Sequence, residues 1–335
     1  MIRRLLGAAG AAIVSVVTLR MVGRRAADRL LAGPRVGADE AALGPALDAL
    51  GGEVVRLRSR DGLRLSGRWL PLELEEAWVA DPHDAILLLH GYSGSIAPDL
   101  VEYGPFLRRT AGVLGLDFRG HGESDPAPTT FGMLEVEDVA GALAWLGERG
   151  ITRVALVGTS MGGIAAIESV AILGDRTLAG PDAHTSLTRA PIDAPRPRIV
   201  AVVAESVAGG VEVPVANRIR SPFRRFIARR LFDAAARRLG ADPRDTEPGR
   251  VIGLVEPVPL LLIHGAADST VPVGEGQRLM ALAGPSAEHW IVEGADHSRA
   301  HAVAGQDYER RVTDFLRVAF ERARDDDLGA REGSL

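Results

Sequence analysis

From about residue 53 onward, unbroken apolar runs alternate with stretches of helical periodicity. Residues 54–58 and 63–70 predict two strands joined across Asp61-Gly62, a hairpin signal. Residues 85–90 (AILLLH), 113–117, 154–158, 199–204 and 258–263 are continuous apolar runs, as expected of strands covered on both faces, and 289–292 is a shorter one. Between them, residues 135–149 place Val136, Val139, Leu143 and Leu146 at helical spacing. Residues 164–173 continue as a helix, and 307–324 repeat the pattern with Val312, Phe315, Leu316 and Phe320. This βαβα order predicts an α/β fold, a doubly wound and mostly parallel sheet with helices on both faces. Residues 180–198 are rich in Pro and polar residues and read as a surface loop, and 325–335 read as a disordered tail.

The N-terminus has a different pattern. An apolar run at 5–19 lies between arginines and spans roughly 22 Å as a helix, short of a bilayer core of about 30 Å. Extension through Arg20 to residue 23 lengthens it, with Arg20 snorkelling. Residues 1–35 hold seven arginines against Asp28, a balance of +6 that leaves −11 for the rest of the chain. Three readings follow: a signal peptide, with secretion after cleavage; an uncleaved membrane anchor; or a helix packed on the domain. Arg20, Arg24 and Arg25 sit where cleavage is expected, which favours the anchor and a membrane-associated protein with association through 5–23. The side of the membrane is left open, with the arginine balance leaning towards a cytoplasmic domain.

Composition narrows the chemistry. The 335 residues contain no Cys, which excludes thiol nucleophiles and thiolate metal sites. All 39 basic residues are Arg, so a Walker-type loop, a Schiff base and pyridoxal-phosphate chemistry lack their lysine. A net charge of −5 argues against a nucleic-acid partner.

The most informative segment is residues 154–163 (VALVGTSMGG), an apolar strand running through G-x-S-x-G into a helix. This is the nucleophile-elbow arrangement, with Gly158 and Gly162 leaving room for a sharp turn that lifts Ser160 above the strand ends. A serine needs a base, and the base needs an orienting group. Asp268 follows the 258–263 strand and His297 follows 289–292, which sets the chain order Ser160, Asp268, His297. Asp296 and Glu205 are alternative acids, with Asp268 ahead of both. The strand 85–90 ends in His90-Gly91-Tyr92-Ser93. Its loop is the expected source of one oxyanion N–H, from Tyr92 first and Ser93 second, with Met161 supplying the other. His90 reads as a support for this loop. His297 and His301 have metal-ligand spacing, but no H-E-x-x-H pattern accompanies them and no zinc site or cofactor is expected.

Together these segments resemble the α/β-hydrolase superfamily, in its serine-hydrolase, esterase- and thioesterase-like branch. Residues 117–124 (DFRGHGES) look like that family's D-x-R-G-x-G-x-S turn, and 55–71 look like its opening hairpin. The resemblance covers about 53–322, with a helical cap at about 210–255. It implies hydrolysis of carboxylic esters or thioesters, without a cofactor, through an acyl-enzyme on Ser160. Acyl transfer or peptide hydrolysis with the same triad is an alternative, as is a non-catalytic membrane-tethered binding module. The expected partner is a small-molecule or lipid-like acyl substrate. Within the cap, residues 211–240 carry eight arginines against Glu212 and Asp233, with Phe223, Phe226, Ile227 and Leu231 at helical spacing. This helix reads either as a lid beside an anionic membrane or as one turning its apolar face to the pocket.

Overall fold

A computed structural model of the chain describes residues 23–34, 36–73, 80–92, 94–174 and 196–332. Most of the 5–23 run, most of the 180–198 loop and Ser93 therefore lie outside the described residues. Among the described residues, eight strands form one sheet: β1 (Glu53–Arg58), β2 (Arg64–Leu70), β3 (Asp84–Leu89), β4 (Gly112–Leu116), β5 (Arg153–Thr159), β6 (Arg198–Glu205), β7 (Leu260–Gly265) and β8 (Ala287–Val292). Their order is β1-β2-β4-β3-β5-β6-β7-β8. Pairing of β2 with β1 and β4 is antiparallel, and every other pairing is parallel. The sheet is the doubly wound architecture that the apolar runs predict.

The helices are α1 (23–31), α2 (Ala38–Ala41), α3 (Gly44–Leu50), α4 (Ala97–Leu107), α5 (Glu135–Gly147), α6 (Met161–Leu173), α7 (Glu212–Arg218), α8 (Arg224–Leu239), α9 (Pro248–Val251), α10 (Val273–Leu282), α11 (Ala300–Ala304) and α12 (Gln306–Glu332). Because successive strand residues point to opposite faces, the sheet is covered on both sides. One layer packs Val139, Leu143, Ile167 and Phe232 against Leu87, Leu89 and Leu156. The other packs Leu100, Val312, Leu316 and Phe320 against Leu88, Val157 and Leu261.

From β3 the chain passes to β4 on one side, while its other neighbour, β5, leads outward to β6. This reversal opens a crevice at the strands' carboxyl ends, where open α/β sheets bind ligands. The register aligns those ends: Leu89 pairs with Gly158, and Glu205 pairs with both Thr159 and Ile263. The turn after β4 braces this edge. Asp117 accepts from Ile96 N at 2.8 Å and from Glu123 N at 3.1 Å. The buried Arg119 guanidinium bridges Asp138 at 2.7 Å and Asp61 at 2.9 Å, tying the β1–β2 turn to α5.

Two sequence expectations change, at the C-terminal tail and at α8. The tail is helical as far as Glu332, because Asp327 reaches Arg153 at 2.9 Å and Arg198 at 3.0 Å. Helix α1 packs on the fold, burying Ala27 and Leu31, with Thr129 N donating to Leu31 O at 2.8 Å. Among the described residues, no helix is long and apolar enough to cross a membrane. Finally, α8 turns Ala228, Phe232 and Ala235 inward, whereas Phe223, Phe226 and Ile227 are exposed. Both sets recur at helical spacing, and the small alanines flanking Phe232 permit the closer approach to the core.

Candidate active site

The strand β5 ends at Thr159 and α6 begins at Met161, leaving Ser160 as the single residue of the turn. Its φ of 50° and ψ of −111° lie outside the regions open to L-residues without strain. Such a conformation costs on the order of 1–3 kcal/mol and persists only where the surroundings hold it. Here Ser160 N donates to Glu205 O at 2.8 Å, and Ser160 O accepts from Ile164 N at 3.0 Å. A Cβ at position 158 would strike the Gly162 backbone, and one at position 162 would strike the Leu89 carbonyl. The glycines therefore let strand, turn and helix approach closely enough to hold the serine up.

Two loops converge on that serine. Asp268 lies just beyond β7, and its Oδ1 accepts from Thr270 N at 2.9 Å and Val271 N at 2.7 Å. Its Oδ2 lies 2.9 Å from Nδ1 of His297, and Nε2 of that ring lies 3.0 Å from Ser160 Oγ. The carboxylate is acceptor-only when ionised, so Nδ1 carries the proton and Nε2 is left to accept from the serine. The Asp268 side chain is fully buried and His297 mostly so, which limits competition from water at both contacts.

The alternative acids hold the histidine loop and do not hydrogen-bond the ring. Asp296 Oδ1 accepts from His297 N at 2.8 Å and from Ser269 N at 2.9 Å, and these bonds keep its carboxyl below the usual range. Glu205 accepts from Ala300 N at 3.0 Å and Tyr308 OH at 2.9 Å. Burial pushes its carboxyl up. Ser206 Oγ adds a bond from Ser298 N at 3.0 Å.

On the opposite side, Gly91 abuts Ser160: a Cβ there would sit 3.5 Å from the serine Cβ. His90 fixes this loop. Its Nε2 accepts from Phe118 N at 3.1 Å, so Nδ1 carries the hydrogen and donates to Gly91 O at 2.6 Å. Complete burial drives its pKa down to about 3, which keeps the ring neutral. The N–H groups of Met161 and Tyr92 have no acceptor among the described residues. The Tyr92 ring stacks on Phe131 at 5.4 Å, and its hydroxyl donates to Leu30 O at 3.0 Å.

A cleft of about 220 Å³ opens over Ser160 and His297, and Asp99, Glu102, Thr159 and Arg218 also line it. None of these four is marked by a pattern in the sequence. In the fold Asp99 accepts from Thr159 Oγ1 at 3.0 Å, and burial raises its pKa to about 7. His301, the other histidine of the metal-like spacing, bonds Glu102 at 3.0 Å and Glu309 at 3.3 Å. The bond to Glu102 raises its pKa.

With this geometry in view, the class follows. The model of the alpha/beta hydrolase family matches residues 86–310, and the chain belongs to that family. The uncharacterized protein YfhR of Escherichia coli K12 is 26% identical over 284 residues, 83% of this chain and 84% of that protein. YqkD of Bacillus subtilis 168, also uncharacterized, is 26% identical over 246 residues, 70% of this chain and 72% of that one. Among solved structures, the Pyrococcus furiosus esterase Pf2001 aligns with a TM-score of 0.56 at 23% identity, covering 81% of this chain and 95% of that one. A membrane phospholipase A aligns over 94% of this chain and 98% of its own, with a TM-score of 0.54 at 18% identity. At such identities the structural likeness speaks for the fold.

Proposed function

We propose that the protein is a serine esterase that cleaves carboxylic ester or thioester bonds through an acyl-enzyme on Ser160. The observation that carries this reading is the continuous relay from Asp268 Oδ2 through His297 to Ser160 Oγ, with contacts of 2.9 and 3.0 Å. In this mechanism Ser160 Oγ attacks the acyl carbon as His297 Nε2 takes its proton. Asp268 holds the reactive tautomer and stabilises the imidazolium that forms. The Met161 and Tyr92 N–H groups receive the oxyanion, and each such donor contributes about 10²–10³ in rate. His297 then passes the proton to the leaving oxygen or sulfur, and a water activated by the same ring releases the acid.

The cleft directs the choice of substrate. A volume of about 220 Å³, lined by Asp99, Glu102 and Arg218, suits a short acyl group with polar surroundings better than a long alkyl chain. Turnover of p-nitrophenyl esters of graded chain length tests this. The expected result is highest kcat/KM for the shortest chains, falling steeply towards dodecanoate. Absence of turnover with every ester and thioester offered contradicts the esterase reading, and preference for the longest chains contradicts the short-acyl assignment.

A further inference from the structure

The first turn of the cap helix α8 is exposed to solvent. Residues 222–227 are exposed without interruption, with Phe223 70% and Phe226 64% accessible beside Ile227. A tip of this kind is costly to leave in water unless something covers it. It is ringed by charge of one sign. Arg218, Arg220, Arg224, Arg225 and Arg229 are exposed and have no ion-pair partner among the described residues. The acids within reach are already engaged: Glu212 and Asp233 bind Arg244 at 2.9 and 3.0 Å, and Asp233 also takes Arg230. Arg230 lies over the Phe226 ring at 5.8 Å, its guanidinium beside the apolar tip.

We propose that this tip is a membrane-docking element that seats Phe223, Phe226 and Ile227 in the interface of an anionic phospholipid bilayer, with the arginines on its headgroups. Apolar side chains flanked by unpaired arginines match an apolar layer beneath a negative surface, which is how interfacial helices bind. The attachment is continuous with the catalytic cleft, because Arg218 lines the cleft and lies six residues before the first turn of α8. It is also tied to the N-terminal segment. Arg238 of α8 pairs with Asp28 of α1 at 3.2 Å.

The absence of cysteine makes the test site-specific. Ile227→Cys in the full chain, labelled with an environment-sensitive fluorophore, is titrated with vesicles of phosphatidylglycerol and phosphatidylcholine in equal parts. Val318→Cys, exposed on α12 across the sheet, is the reference. The expected result is a blue shift at 227 with the anionic vesicles, little shift with phosphatidylcholine alone, and none at 318. At about fivefold per arginine, replacing Arg224, Arg225 and Arg229 with Gln should raise the lipid needed by about a hundredfold. No shift at 227, an equal shift at 318 or with neutral vesicles, or a shift without lipid that grows with protein concentration would overturn the proposal, the last pointing to self-association.

Discussion

Asp268 Oδ2 lies 2.9 Å from His297 Nδ1, while Asp268 Oδ1 is held by the N–H groups of Thr270 and Val271. The carboxylate is therefore aimed by its own loop before it aims the imidazole. Asp268→Asn keeps an acceptor oxygen for the two N–H groups but can present its amide N–H to the ring, which reverses the tautomer. The expected outcome is a native-like melting temperature with kcat lowered by about 10⁴. Activity within tenfold of the parent would remove Asp268 from the relay and reopen the choice of acid.

Asp99 lines the cleft beside Ser160, bonded to Thr159, with its pKa raised to about 7 by burial. Between its ordinary value of 3.8 and about 7 the folded chain keeps a proton that the unfolded chain has released. Stability contributed at this site is therefore fullest below that window and is lost as pH rises through it. Asp99→Asn, which can still accept from Thr159, should be more stable than the parent at pH 8 by on the order of 1–3 kcal/mol, a gain that vanishes towards pH 4. Urea unfolding at several pH values measures the difference. A gain that is the same at every pH would show that ionisation of Asp99 is not its source.

Gly162 has no room for a side chain against the Leu89 carbonyl. Gly162→Ala must push α6 away from β3, moving Met161 N–H and the serine together. The expected cost is about 2–4 kcal/mol of stability, with most of the proposed ester turnover lost. A stable and fully active variant would mean that the elbow tolerates a looser turn than its geometry indicates.

Much of this was legible in the sequence because each chemical group follows directly on an apolar run. The strands β5 and β7, buried along their whole length, and the shorter, partly exposed β8 end shortly before Ser160, Asp268 and His297. What stayed hidden depended on partners distant in the chain. Asp327 looks solvated until Arg153 and Arg198 are brought alongside it. Periodicity singles out Phe223, Phe226, Ile227 and Leu231 in α8, whereas the fold buries Ala228, Phe232 and Ala235, because the choice of buried face depends on the shape of the core beneath. Asp99 and Thr159 meet only because α4 and β5 pack side by side, and no local pattern marks that pair.

The most direct test of the account is labelling of the full chain with a fluorophosphonate, which reacts with an activated serine. The parent is expected to be labelled stoichiometrically at Ser160, with labelling much slower in His297→Ala. Ser160→Ala should fold as the parent does, take up no label, and lose ester turnover by at least about 10³. Equal labelling or turnover in Ser160→Ala, with its fold intact, would contradict the assignment of the nucleophile and with it the mechanism.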